Sequence, residues 1–209
     1  MQIREGRTED LDALYAIALA TGDNGRDASA LYDDPQMIGH IYSAPYLMVD
    51  GGFCFVAEDE AGVCGYVVGT ADTEAFARTL EADWWPALRK RYPEPAAQSR
   101  AQWSLDEWRA HLFHHPEAPP PAVVEAYPAH LHMNLLERAR GHGLGRQLLG
   151  AALRRLAELG ASHVHVGAGW TEAGGAAFWQ ASGFQVLDES ERGVVYLGRA
   201  VPPLDGPIR

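Results

Sequence analysis

Residues 140–146 read Arg140-Gly141-His142-Gly143-Leu144-Gly145-Arg146, three alternating glycines between two arginines. Just before them Leu131, Met133 and Leu135 recur at every second position, the period of a strand. Just after them Leu148, Leu149, Ala152, Leu156 and Leu159 recur at helical spacing up to Gly160, a C-cap residue. A strand therefore runs into a glycine turn that opens a helix. The first backbone N–H groups of a helix have no intrahelical acceptor, and with the helix dipole they form an anion site. Glycine permits positive φ and lets a diphosphate approach the backbone. Arg140 and Arg146 add charge-assisted donors for phosphate oxygens.

Three nucleotide readings compete for this turn. A P-loop requires Gly-Lys-Ser/Thr, and the chain has Gly145-Arg146-Gln147. A dinucleotide fingerprint requires Gly-x-Gly-x-x-Gly after the first strand of a βαβ unit; here the spacing is Gly-x-Gly-x-Gly, late in the chain. The third reading is an acyl-CoA loop, with a generic glycine turn as the bland alternative. On the strand that feeds the turn, His130, His132 and Asn134 share the face opposite Leu131, Met133 and Leu135. Strand histidines are commonly structural, but the ordinary pKa of His suits a general base near neutrality.

The elements that must position these residues follow from the rest of the chain. Residues 2–7 form an edge strand, and Thr8 N-caps a helix through Leu11, Leu14, Tyr15 and Ala18. A second helix is expected over 34–42 with Pro35 in its first turn. Residues 53–58 and 63–70 form a hairpin around the polar turn Asp59-Glu60-Ala61-Gly62. Residues 73–127 form an insertion holding Trp84, Trp85, Trp103 and Trp108 and the Pro119-Pro120-Pro121 run; Ser104 and Glu107 have capping-box spacing for a helix over 105–114. Further strands fall at 130–135, 163–166, 184–187 and 194–197, with a short helix at 173–182. This gives one α/β domain over 1–200 with a loose tail at 201–209.

The 209-residue chain is 47% hydrophobic and 22% charged, an ordinary globular composition. No apolar run approaches a membrane span, and the first residues carry no signal core, so a cytoplasmic protein without membrane contact is expected. Cys54 and Cys64 read as small core residues on neighbouring strands, and nothing in the pattern asks for a metal. The net charge of -11 argues against nucleic acid and leans towards a cationic acceptor.

Arg140-Gly141-His142-Gly143-Leu144-Gly145 resembles the Gln/Arg-x-x-Gly-x-Gly/Ala acyl-CoA loop of the GCN5-related N-acetyltransferases, in the same strand–turn–helix context. The order of elements is similar to that family's, and Phe178-Trp179-Gln180-Ala181-Ser182-Gly183-Phe184 resembles its closing signature. A closer resemblance covers nearly the whole chain. Glu58–Tyr66, Gly69-Thr70-Ala71-Asp72, Trp85-Pro86 with Arg91-Tyr92-Pro93, and Tyr127–His132 look like bacterial acetyltransferases related to the C-terminal domain of animal O-GlcNAcases.

The resemblance implies a mixed, mostly antiparallel sheet flanked by helices, with a wedge between the fourth and fifth strands. It implies acetyl-CoA as acyl donor, no metal, and direct transfer to the amine of a small molecule or protein, by a monomer or homodimer. The donor would be held by the main chain of Met133 and Leu135, by the loop residues Arg140, Gly141, His142, Gly143, Leu144, Gly145 and Arg146, and by Glu172, Gly175, Phe178 and Trp179. The family's usual acid is a tyrosine where this chain has Trp179, whose indole N–H donates a hydrogen bond but no proton. Tyr196 is another candidate acid. Counting back from Arg140 puts the strand-borne base of some members near Tyr127; His132, His130, Asp72 and Glu125 are the other candidates. An acyl-CoA sensor with little turnover is the alternative that Trp179 sustains, and a non-acetyl acyltransferase is a third.

Overall fold

The computed structural model describes residues 2–169, 175–189 and 193–204, the side chains of Gln98, Ser99 and Glu189 excepted. The chain begins with β1 (Gln2–Glu5), a 3-10 turn at Thr8–Asp10, α1 (Leu11–Ala20), α2 (Gly39–Tyr42) and α3 (Ala44–Met48), followed by the hairpin β2 (Gly52–Asp59) and β3 (Gly62–Thr70). Helices α4 (Thr73–Asp83), α5 (Trp85–Arg91), α6 (Leu105–His114) and α7 (Pro121–Ala126) fill the stretch before β4 (Ala129–Leu135). Then come a 3-10 turn at Glu137–Ala139, α8 (Leu144–Glu158), β5 (His163–Gly169), α9 (Gly175–Ala181), β6 (Gln185–Glu189) and β7 (Val194–Ala200).

The strands form one sheet in the order β1-β2-β3-β4-β5-β7-β6, antiparallel except where β4 meets β5. Helices cover both faces. On one, α8 buries Leu144, Leu148, Leu149, Ala152, Leu153 and Leu156 against the sheet, joined by Trp179 and Phe184. On the other, Leu14 and Ile17 of α1, Tyr46 of α3 and the α4–α6 residues Phe76, Trp85 and Phe113 pack on Val56, Tyr66 and Val68. Cys54 and Cys64 are buried as small core residues, and burial pushes the Cys54 thiol up to about 12, leaving it inert.

Four expectations need correction. Thr8 does not cap α1; the Asp10 carboxylate accepts the Arg7 N–H at 2.8 Å while pairing with Arg4, so the chain enters the helix through a 3-10 turn. The helix over 34–42 shrinks to Gly39–Tyr42 because Asp34 accepts the Gln36 N–H in a local turn and also holds Tyr92. The stretch 73–127 is more helical than expected, adding α4, α5 and α7, of which α4 and α5 bury Phe76, Leu80, Trp85 and Leu88 in the core. The last segment is not loose at its start, since Val201 N–H bonds Ser162 O at 2.8 Å; residues 205–209 lie outside the described residues.

Candidate active site

The position of the site is set by one irregularity in the sheet. β4 pairs with β3 from Leu135↔Gly65 to His130↔Thr70, but with β5 only at Ala129↔Val164 and His130↔His165. Beyond His130 the two strands diverge, so the β5-facing backbone of residues 131–135 has no strand partner. A cleft of about 1140 Å³ opens there, walled by β4, the glycine turn, β5, α9 and the α4–α7 segment.

At one end of the cleft, Gly141 and Gly143 adopt φ of +78° and +75°, and a Cβ on either would meet nothing within 4 Å. Their left-handed backbone turns the chain into α8, and their open faces form a cradle whose surface is main chain. Gly145 has a different reason: a Cβ there would lie 3.1 Å from the Phe178 ring, which packs over the first turn of α8. Leu144 is buried, whereas His142 and Arg146 are exposed, and the His142 ring Nδ1 lies 2.7 Å from Arg140 O. The Arg140 side chain donates to Leu135 O at 3.2 Å and to Gly25 O at 2.6 Å. It thereby ties the turn to β4 and to the loop after α1, and its remaining donors stay near the cradle.

The polar face of β4 looks into the middle of the cleft. Asn134 donates to Thr21 Oγ1 at 2.6 Å. The ring of His130 is fixed at both nitrogens: Thr73 Oγ1 donates to Pro128 O at 2.6 Å, so it accepts from His130 Nδ1–H at 2.8 Å, which leaves Nε2 to accept the Tyr46 hydroxyl at 2.7 Å. Burial drives the His130 pKa well below its ordinary value, with the neighbouring His132 and His165 adding to the effect. His132 is held differently. Its ring packs edge-on against Tyr42 and Tyr46 at 5.5 Å and lines the cleft, with no hydrogen-bond partner among the described residues. Burial, reinforced by His165, pushes it down to about 4. The expectation of an untuned pKa near neutrality is therefore corrected: His132 is a neutral imidazole with free lone-pair capacity throughout the physiological range.

The other candidate residues separate cleanly. Asp72 is the N-cap of α4, accepting the Ala75 N–H at 2.8 Å, and does not line the cleft. The Tyr127 ring packs against His163 and Gly198, away from the cleft; the carbonyl is what matters, accepting His165 Nδ1–H at 2.6 Å. Glu125 is exposed on α7. Met133, Leu135, Gly175, Phe178, Trp179 and Tyr196 all line the cleft. Trp179 is a buried core indole against Phe184 and Phe178. Glu172 lies outside the described residues.

Sequence reasoning missed several cleft residues. Tyr42 and Tyr46 come from the short helices after α1, and Arg109 comes from α6, each brought in by tertiary packing alone. Trp85 lines the cleft, whereas Trp84 donates to His40 O and Trp103 to Ala96 O, within the surrounding packing.

No family model matches the chain. Among curated proteins it is similar to Protein O-GlcNAcase of Rattus norvegicus and of Mus musculus, 23% identical over 154 residues in each case. The match covers 74% of this chain, which spans 17% of the length of those relatives. Among solved structures, SsHAT is 37% identical, with 96% of this chain and 98% of that one covered and a TM-score of 0.86. A GCN5-related N-acetyltransferase from Kribbella flavida is similar in fold, with a TM-score of 0.53 at 16% identity over 95% of this chain and 96% of that one.

Proposed function

The chain belongs to the GCN5-related N-acetyltransferase superfamily, a family of acyltransferases, and we propose that it transfers the acetyl group of acetyl-CoA to the amine of an acceptor bound in the same cleft. The observation that carries this reading is the cradle of Gly141 and Gly143 at the start of a 15-residue helix, opening onto the gap between β4 and β5. The open Cβ positions fit a diphosphate against the backbone, and the unpaired edge of β4 fits a chain of amides. The loop 140–146 would hold the phosphates, and the backbone of Met133 and Leu135 the pantetheine arm.

Acetyl-CoA supplies an acetyl group activated as a thioester. The protein's own part is to exclude water, align the amine and move protons. His132 is the proton acceptor of the account. A base with a pKa of about 4 cannot strip a free ammonium, so the acceptor must enter as the neutral amine. Once the nitrogen bonds to the acyl carbon its protons become strongly acidic, and a neutral imidazole is basic enough to take one. The network through His130, Tyr46 and Thr73 holds the neighbouring wall rigid. Tyr196, which lines the cleft from β7, is the phenol assigned to protonate the departing thiolate, since Trp179 cannot.

Thiol release from acetyl-CoA, followed with a panel of primary amines and checked for N-acetylated product, tests the reaction. Amine-dependent release supports it. Tight acetyl-CoA binding without amine-dependent release across the panel would favour the sensor reading, which the buried Trp179 in place of a phenolic acid already recommends as the second choice.

A further inference from the structure

The net charge of -11 leans towards a cationic acceptor, yet the cleft presents a cation in its wall. Arg109, on α6, lines the cleft across from the polar face of β4 and is half-buried. Its Nε donates to the Tyr32 hydroxyl at 3.2 Å and its Nη1 to the Tyr42 hydroxyl at 3.0 Å. Among the described residues no carboxylate pairs with it. Of the cleft's own acids, Glu81 is taken up by both terminal nitrogens of Arg89, and Glu117 is exposed. A guanidinium carries five N–H donors, so most of the fork remains for a ligand. Burying a cation with only neutral phenols as partners is unfavourable unless something anionic completes the site.

The position of Arg109 says which ligand this is. Its Cζ lies 5.3 Å from the centre of the Tyr42 ring, and the same ring lies 5.5 Å from the His132 imidazole. One phenol ring thus separates the guanidinium from the proton acceptor. The phosphate cradle, by contrast, lies past the far end of β4: Leu135 is three residues beyond His132, roughly 10 Å along the strand at about 3.3 Å per residue, and the turn at Glu137–Ala139 comes before the glycines. Resting on the acetyl-transfer reading, we propose that Arg109 recognises an anionic group of the acceptor, which is therefore a small amine bearing a carboxylate or a phosphate a few bonds from its nitrogen. Guanidinium matches either group with paired N–H donors.

The test uses matched amines that differ in the anion: β-alanine against propylamine for a carboxylate, and O-phosphoethanolamine against ethanolamine for a phosphate. Each is assayed by melting of the CoA-saturated protein and by thiol release from acetyl-CoA. The anionic member of at least one pair is expected to raise the melting temperature further and to show a kcat/KM about 10- to 100-fold higher, the range of one charge-assisted bond; which pair responds identifies the group. Arg109→Gln should erase that advantage while keeping the melting shift caused by CoA. If Arg109→Gln does not fold, Arg109→Lys, which keeps the charge but loses the fork, should reduce the advantage instead. The proposal is overturned if both anionic members match or trail their neutral partners in the wild type, or if the advantage survives in Arg109→Gln. It is also overturned if Arg109→Gln loses the CoA shift, which assigns the residue to the donor. Absence of any CoA shift in the wild type would instead sink the acetyl-transfer reading itself, and the melting comparison among the four amines would still decide the role of Arg109.

Discussion

Acidification from pH 7 to pH 5 should cost this protein a large share of its stability, through histidines it buries as neutral rings. His40 and His132 are both pushed down to about 4, in each case chiefly by burial. His130 and His165 are lowered for the same principal reason. In the unfolded chain a histidine titrates near 6.5. A folded pKa below the unfolded one means that the unfolded state binds protons the native state refuses. The contribution is therefore complete above about pH 6.5 and is lost as the pH falls towards 4. For a shift from 6.5 to about 4, the loss between pH 7 and pH 5 is about 2 kcal/mol per histidine, so His40 and His132 alone account for about 4 kcal/mol. That is a large part of a typical total of about 5–15 kcal/mol. Paired carboxylates such as Asp10, held down by Arg4, lose protection only at lower pH, which leaves this window to the histidines. Urea unfolding at pH 7, 6 and 5, with a constant m-value, measures the effect. A stability at pH 5 within about 1 kcal/mol of that at pH 7 would refute the picture of neutral, desolvated rings. A folded His132→Gln variant should show about 2 kcal/mol less loss over the same interval.

Further outcomes follow from the same geometry. His132→Ala should lower acetyl transfer by about 10²-fold or more while leaving CoA affinity nearly unchanged, as measured by thiol release and calorimetry; unchanged turnover would return the ring to a packing role. Because His132 stays neutral above about pH 5, kcat/KM between pH 6 and 9 should rise with the fraction of neutral acceptor amine. An inflection near 6.5 that disappears in His132→Ala would contradict its low pKa. Asp72→Ala should cost about 1 kcal/mol as a lost N-cap and leave turnover per folded molecule intact, which separates it from the proton-transfer machinery.

The glycine turn and the neighbouring elements were legible in the sequence because their signals are local. Alternation in 131–135, three glycines and a helical leucine stripe fix a strand, a turn and a helix without reference to the rest of the molecule. The shared face of His130, His132 and Asn134 followed from the two-residue period, and the capping box at Ser104 and Glu107 from its spacing. What was not legible depended on contacts between distant residues. Tyr127 lies just before β4 in the chain, but packing turns its ring towards His163; Asp72, just after β3, is instead engaged locally, as the cap that accepts the Ala75 N–H. Arg109 shows the converse, a residue without a local motif that α6 delivers to the cleft through Tyr32 and Tyr42. The pKa of His132 was also out of reach, since burial sets it and burial is a property of the assembled core.

The central claim, a donor site built on the main chain of 140–146, is tested most directly by melting the wild type and Gly143→Asp with and without acetyl-CoA. Gly143 has φ of +75° and an open Cβ position, so aspartate there places a strained backbone and a carboxylate in the cradle. A ligand that binds only the folded state at 100 times its dissociation constant adds about 2.7 kcal/mol, a shift of several degrees. The account predicts that shift in the wild type and its loss in a folded Gly143→Asp protein. An equal shift in both proteins, or none in the wild type with millimolar acetyl-CoA, would contradict it.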